Sequence, residues 1–143
     1  MKNFLILIRG LPGSGKSTKA NQLLDQKVVD AHFEADQYCM KDGVYKFDSS
    51  KVSDNHQSCQ EDTFSALLCG DSVVVSNTFT KTWEMLPYID FCWMNKIPWT
   101  IIECLDNYGS IHSVPINIIE KMKQRWESSD ELKKMEDYFE NNY

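Results

Sequence analysis

Apolar and polar positions alternate along the chain in two different periods. Short apolar runs, typical of buried strands, are separated by stretches in which apolar residues recur every three or four positions, as in amphipathic helices. This pattern predicts strands at residues 4–9, 28–35, 72–76 and 99–104. Strands that alternate with helices indicate βαβ units around a parallel sheet, so the chain is expected to have an α/β fold.

Helical periodicity fills the intervals between these strands and the C-terminal part of the chain. The second helix places Cys59, Thr63 and Leu67 on one face, and the last one carries a stripe that includes Leu132 and Phe139. The first helix is predicted at residues 16–25, the second from a cap at Asp48 or Ser49 to Gly70, and the third after Trp83. A polar loop at 106–113 then precedes a fourth helix, which is predicted from Pro115 to about residue 127. The last helix is predicted to start at a capping box at 128–131.

Length and composition are those of one globular domain. The chain has 143 residues, of which 42% are hydrophobic and 25% charged, and we expect a single domain over residues 1–143. Its apolar runs are shorter than the roughly 18 residues that a membrane span needs, and its first residues lead into a strand rather than a secretion signal. We therefore expect a cytoplasmic protein without membrane partners.

Net charge and cysteine spacing narrow the functional classes. A formal net charge of −6 argues against a general basic surface that coats nucleic acid, although it is compatible with a local basic cleft. The five cysteines are odd in number and have no C-x-x-C spacing, which indicates neither a disulfide framework nor a zinc site. We interpret them as reduced, small hydrophobic residues.

A complete phosphate-binding motif, G-x-x-x-x-G-K-[ST], follows the first strand and opens the first helix. Its glycines let backbone N–H groups turn inward around an anion, the lysine reaches the β- and γ-phosphates, and the first serine after it holds Mg²⁺. The motif thus predicts binding of a nucleoside triphosphate, with ATP and Mg²⁺ as cofactors. The predicted nucleotide-binding residues are Gly10, Pro12, Gly13, Ser14, Gly15, Lys16, Ser17 and Thr18.

Polar residues that follow the strands are the next candidates, because ligands of open parallel sheets bind at the carboxyl ends of the strands. Asp36 ends the predicted second strand, where a carboxylate can accept the proton of a hydroxyl that attacks the γ-phosphate. Its alternative role is that of a helix cap or turn residue. Asn77 and Thr78 follow the third strand and could bind the γ-phosphate, Mg²⁺-bound water or the acceptor, or could simply form a turn. We expect Trp83, close by, to pack in the core rather than stack on a base.

A basic helix near the C-terminus is a candidate lid. Lys121 and Arg125 are four residues apart and share a helical face, an arrangement that suits an anion placed beside them. We expect this face to offer cations to the phosphates, with Arg125 stabilising charge in the transition state. The alternative is a solvated basic face whose charges pair with Glu120 and Glu127.

These features together resemble the kinase domain of polynucleotide 5′-hydroxyl kinases from phages and eukaryotes. Beyond the phosphate loop and Asp36 with Tyr38, the similarity covers residues 42–48, 56–59, 76–78, 83–85, 114–115 and 122–127. The resemblance implies a P-loop NTPase fold, namely a three-layer α/β sandwich with a four- to five-stranded parallel sheet and a C-terminal helical lid. It also implies catalytic roles for Lys16, Asp36 as base and Arg125 as lid arginine, with Thr78 placing the acceptor.

Two positions depart from that family. Cys39 stands where the phage enzymes usually carry an arginine that holds the acceptor's phosphate, and Ser76 stands where their third strand commonly ends in aspartate. The first departure puts a nucleic-acid acceptor in question, and the second removes an expected outer contact to the metal.

Three functions fit these observations. The leading hypothesis is an ATP-dependent kinase that phosphorylates a hydroxyl, with a DNA or RNA 5′ end as the favoured acceptor. Its variant is a kinase of a modified DNA base or a small metabolite. The rival is a nucleotide-hydrolysing switch, which is disfavoured because the third strand ends without an acidic residue and is followed by no water-positioning glutamine.

Overall fold

The computed structural model of the protein describes residues 2–41, 44–45, 52–105 and 115–142. The predicted cap at Asp48 or Ser49 and the polar loop at 106–113 lie outside these residues. The strands are β1 (Leu5–Gly10), β2 (Ala31–Phe33), β3 (Met40–Lys41), β4 (Val44–Tyr45), β5 (Val73–Asn77) and β6 (Trp99–Cys104). The α-helices are α1 (Lys16–Asp25), α2 (Val52–Leu68), α3 (Leu86–Met94), α4 (Ile116–Gln124) and α5 (Asp130–Asn142), with short 3-10 helices at Ala35–Cys39 and Thr82–Glu84.

Four of these strands form one parallel sheet in the order β2-β5-β1-β6. In its centre, Leu5 pairs with Val73 on one side and with Trp99 on the other. The sheet confirms the predicted α/β fold with four parallel strands. The antiparallel pair β3-β4, in which Met40 lies opposite Tyr45, was not predicted, because each of its strands is only two residues long.

Helices cover both faces of the sheet, and the central strand contributes alternate residues to each side. Leu5 and Leu7 enter the larger core cluster, which also contains residues of α2, α3 and α5. Ile6 and Ile8 enter a second cluster with Ala20 of α1. β1 is buried along its whole length, as expected of a strand between two helical layers. This arrangement places the end of β1 and the start of α1 at one edge of the sheet.

Several element boundaries differ from the sequence predictions. β2 is shorter than predicted. Before it, the Asp30 N–H donates to the Ser72 carbonyl oxygen, and the Ser72 N–H donates to Asp30 Oδ2. After it, a 3-10 helix starts at Ala35. The fourth helix begins one residue later, with Pro115 as its N-cap, and ends at Gln124.

The predicted capping box before the last helix is absent. Ser129 directs its hydroxyl to the Glu103 carboxylate instead, and Ser128 Oγ accepts from the backbone N–H of Asp130. The buried stripe of this helix is as predicted, since Leu132 and Phe139 are both buried.

Two broader expectations concern the membrane and the cysteines. None of the helices in the described ranges combines the length and apolarity that crossing a bilayer requires. Cys59, Cys69, Cys92 and Cys104 are free thiols.

Candidate active site

The phosphate loop lies between β1 and α1 and turns through two glycines. Gly13 and Gly15 have φ angles of 81° and 88°, in the left-handed region that residues with a side chain rarely adopt. Gly10 needs to be glycine for a different reason: a Cβ there would collide with Ser14 Oγ and lie 2.9 Å from the Cys104 carbonyl oxygen. The loop is therefore compact, and its backbone shape depends on these residues.

The loop has the properties of an anion site. The hydroxyl of Ser14 is buried and has no hydrogen-bond partner within the described part of the chain, which is unusual for a buried polar atom unless a ligand completes it. Burial lowers the pKa of Lys16, and the nearby charges of Asp36 and Glu34 oppose that shift. An unpartnered hydroxyl and a desolvated lysine at a helix N-terminus fit a nucleotide polyphosphate.

Ser17, the predicted metal ligand, is paired with an acid that we did not predict. Its Oγ donates to Glu34 Oε2 over 2.8 Å, and the same carboxylate oxygen accepts from Ser76 Oγ over 2.9 Å. Among the described residues, no group of three or more His, Cys, Asp or Glu side chains is arranged to hold a metal ion by itself. Magnesium bound with a nucleotide needs only one or two protein ligands besides water and phosphate, so Ser17 and this acid fit it.

Asp36 lies in the first turn of the 3-10 helix after β2, with its side chain exposed and its charge acting on Lys16. The turn is held from the neighbouring strand: the Asn77 side-chain oxygen accepts from the backbone N–H of Ala35 over 2.8 Å. Asn77 is buried, and its amide nitrogen faces Cys59 Sγ. Its side-chain oxygen thus holds the turn that carries Asp36.

The predicted acceptor-binding and lid residues are less enclosed than those at the phosphate loop. Thr78, just after β5, is half-buried. Lys121 and Arg125 are exposed, and Arg125 Nε donates to Thr80 Oγ1 over 3.4 Å. Helix α4 contains no buried residue. Lys123, which is not on the face of Lys121 and Arg125, pairs with Glu120 at 3.3 Å.

The segment after α4 is tied to the sheet by a buried arginine. Arg9, at the end of β1, is fully buried, donates to the carbonyl oxygens of Phe79 and Thr80, and lies over the ring of Trp126 at 3.8 Å. Its other partner is Glu103 Oε1 at 3.4 Å. Arg9 therefore joins β1, β6, the loop after β5 and the end of the candidate lid.

A cleft of about 240 Å³ opens between the phosphate loop and this segment. It is lined by Leu11, Ser14, Cys104, Leu105, Lys123 and Trp126. The lysine of α4 that reaches the loop side is thus Lys123, whereas we predicted Lys121 for nucleotide binding.

Sequence reasoning missed Glu34 and Arg9 and misplaced Trp83. Glu34 directly follows β2, and polar residues at the carboxyl end of a parallel strand are candidates for the site. Arg9 is a charged residue at the end of an otherwise apolar strand, which is a signal of a buried, paired charge. Trp83, which we expected in the core, is 66% exposed.

Comparison with known proteins places this geometry in a family. A family model described as an AAA domain matches residues 5–105. NEDD4-binding protein 2 of Homo sapiens is 33% identical over 88 residues, which is 59% of this chain and 5% of that protein. The chain thus spans only a small part of that relative's length.

Solved structures share the fold at low sequence identity. The Pnkp1/Rnl/Hen1 complex aligns with a TM-score of 0.60 at 15% identity over 84% of this chain and 38% of that one. A gluconokinase from Sinorhizobium meliloti gives 0.56 at 16% identity over 89% and 77%. The Mycobacterium tuberculosis APS kinase CysC, in complex with AMPPNP and APS, gives 0.53 at 17% identity over 84% and 68%. With its phosphate loop, its parallel sheet and a family match over most of its length, the chain belongs to the AAA-domain family and has a P-loop kinase-like fold.

Proposed function

We propose that the protein is an ATP- and Mg²⁺-dependent phosphotransferase that moves the γ-phosphate to a hydroxyl, with a polynucleotide 5′-hydroxyl as the preferred acceptor. The observation that carries the proposal is the hydrogen bond from the Ala35 N–H to the Asn77 side chain, which fixes the turn with Asp36 near Lys16. A carboxylate held at this place can accept the proton of an acceptor hydroxyl, as transfer of the γ-phosphate to a hydroxyl requires.

The residues divide the reaction between them. Loop N–H groups and Lys16 bind the β- and γ-phosphates, and Ser17 holds the metal, which would supply neutralising charge there. Asp36 takes the proton of the acceptor hydroxyl as its oxygen bonds to the γ-phosphorus, and the bond from that phosphorus to the bridging oxygen breaks, releasing ADP. Arg125 and Lys121 lie on the lid side, where cations stabilise the charge on the transferred group.

Two observations bear on the acceptor. Similarity to a chain of the Pnkp1/Rnl/Hen1 RNA repair complex favours nucleic acid, as does the resemblance of the motifs beyond the phosphate loop. Similarity to a gluconokinase and an APS kinase, together with the net charge of −6, keeps a small hydroxylated acceptor as the second candidate. The polynucleotide hypothesis requires a cationic contact other than residue 39, which is cysteine.

Transfer of label from γ-labelled ATP tests the proposal. The panel comprises 5′-hydroxyl DNA, 5′-hydroxyl RNA, base-modified DNA, nucleosides and small sugars. We expect label on a 5′-hydroxyl polynucleotide, and a fall of about 10³-fold in kcat for Asp36→Asn, since general-base catalysis contributes about 10²- to 10⁴-fold. Asp25→Asn, an exposed carboxylate at the end of α1, is the matched control.

The outcomes separate the competing functions. Label on a base-modified DNA, nucleoside or sugar alone identifies the second candidate. ATP turnover without label on any acceptor, unchanged in Asp36→Asn, indicates a hydrolysing switch and overturns the proposal.

A further inference from the structure

Glu34 lies between two serine hydroxyls that come from different parts of the sheet edge. Its Oε2 accepts from Ser17 Oγ at 2.8 Å and from Ser76 Oγ at 2.9 Å, and the side chain is 19% exposed. One oxygen of a largely buried carboxylate thus links the start of α1 to the end of β5. This arrangement leaves its second oxygen available to another partner.

A further side chain lies next to Ser76 at this carboxylate. Ser76 Oγ donates to Glu34 Oε2, and His32 Nε2 lies 2.7 Å from the same hydroxyl oxygen. The other ring nitrogen of His32 lies 3.3 Å from Asn21 Oδ1. These contacts hold His32 and Ser76 against the Glu34 carboxylate.

Ser17 also donates its hydroxyl proton to the Glu34 carboxylate. The lone pairs of the Ser17 oxygen can therefore bind a cation. In P-loop NTPases the metal is held by the loop serine or threonine together with an acid that follows a strand beside the loop. Here β5, the strand beside β1, ends in Ser76 and Asn77, and the carboxylate comes from the chain after β2 instead.

We propose that Glu34 is a residue that positions the metal of the metal–nucleotide complex, acting through the Ser17 hydroxyl and through its second carboxylate oxygen, which neither serine uses. The inference rests on the proposed function only in that a metal-bound nucleotide must bind. It concerns the donor side of the site and is independent of the acceptor. Asp36 and Glu34 then have separate tasks, although both carboxylates act on Lys16.

Binding of Mn²⁺, followed by electron paramagnetic resonance, tests this role without turnover. The probe is Mn²⁺ titrated into the protein saturated with a non-hydrolysable ATP analogue. We expect Glu34→Gln to raise the Kd of the metal about tenfold, the lower end of what loss of an outer-shell partner costs. Glu61→Gln, an exposed acid on α2, should leave it within twofold.

A second measurement separates metal positioning from a structural role. The analogue alone, in excess chelator, should bind Glu34→Gln as tightly as the wild type or more tightly, because the variant lacks a negative charge near the phosphates. Damage to the loop would weaken binding in both conditions. Equal weakening with and without metal, or a metal Kd within twofold of wild type, overturns the proposal.

An exchange of the two side chains provides a rescue. Because Ser76 Oγ is 2.9 Å from Glu34 Oε2, an aspartate at position 76 can present its carboxylate near the same point. We expect Glu34→Ser to lose metal affinity and the pair Glu34→Ser with Ser76→Asp to regain it to within about threefold of wild type. A double variant no better than Glu34→Ser counts against the assignment.

The results also distinguish this inference from the proposed function. If Mn²⁺ binding depends on Glu34 but no acceptor is labelled, only the transfer reaction is refuted. If the wild type binds no metal–nucleotide complex, both are refuted.

Discussion

The two sides of the candidate site are built differently. The sheet side carries Lys16 and Ser17 at the start of α1, and Glu34 and Asp36 next to β5. Glu34 bonds to both Ser17 and Ser76, and the Asn77 side chain holds the turn of Asp36. The lid side carries its cations on and just after α4, which has no buried residue and exposes Lys121. The sheet side is therefore fixed by hydrogen bonds between segments, whereas the lid cations lie on an exposed surface.

Several contacts join these two sides. Glu127 accepts from the Thr82 N–H and donates its own N–H to the Thr80 carbonyl, and Trp126 lies on Arg9. The segment after α4 is thus attached to the sheet side, whereas α4 itself has no buried residue.

Loss of a phosphate-loop charge should give the largest effect. Lys16→Ala removes the desolvated cation from the phosphates, so we expect kcat/KM to fall about 10³-fold or more. Lys121→Ala, on the exposed lid, should cost less than about fivefold, because solvent screens its charge. Steady-state kinetics with the labelled acceptor measures both losses. Comparable losses would contradict the expectation that the lid side contributes less to catalysis than the sheet side.

Removal of the junction cation should mainly affect folding. Arg9→Ala removes the side-chain donor to the Phe79 carbonyl oxygen and one of two donors to both the Thr80 carbonyl oxygen and the Glu103 carboxylate. We expect a loss of about 3 kcal/mol in the free energy of unfolding. Lys134→Ala breaks an exposed pair with Glu131 and should cost about 0.5 kcal/mol or less. Urea denaturation followed by circular dichroism compares the two. Similar midpoints would show that Arg9 contributes little to the junction.

A smaller effect is expected from freeing the turn that carries the base. Asn77→Ala leaves the Ala35 N–H without its acceptor, so Asp36 should lose its fixed position. We expect kcat to fall about tenfold, equivalent to about 1.4 kcal/mol, with nucleotide affinity within about twofold. Asn95→Ala, which removes an exposed side chain from the end of α3, is the control. A drop in nucleotide affinity as large as that in kcat would place Asn77 in nucleotide binding instead.

The last prediction compares the core with the surface through the reactivity of cysteine thiols, and we expect it to have the smallest effect on function. Burial raises the pKa of Cys92 to about 12, so this thiol stays protonated, and unreactive, until the pH approaches that value. Cys69 is exposed and should react with iodoacetamide at pH 8.5 about 100-fold faster or more, as judged by mass spectrometry of the peptides. In urea the two rates should converge. Fast labelling of Cys92 in the native protein would indicate that the core under α3 opens readily.

Sequence patterns predicted the sheet better than the surface elements. The strands around Leu5 and Val73 begin as continuous apolar runs and are buried along their whole length, as is typical of strands covered on both faces. The strand around Trp99 is only partly buried, but its apolar residues also predicted it. The candidate lid was predicted less well, since a short amphipathic helix at the surface can end wherever a tertiary contact replaces its last turn. Here the helix ends at Gln124 and Trp126 turns to Arg9.

The same contrast holds for the candidate site. The phosphate loop is contiguous in sequence, and its spacing of glycines, lysine and serine carries its own geometry. The metal-side acid could not be assigned in this way, because Ser17, Glu34 and Ser76 are separated by 17 and 42 residues. Only the pairing of β2 with β5 brings them together.

The sequence by itself therefore determined that the protein has an α/β fold with a phosphate loop after its first strand, because local spacing and apolar periodicity are enough for both. The tertiary structure decided which side chains surround that loop. It placed Glu34 beside Ser17, assigned Asn77 to holding the Asp36 turn, and buried Arg9 under Trp126. The physical reason is that hydrogen bonds between segments distant in sequence depend on strand order and register, which periodicity does not encode.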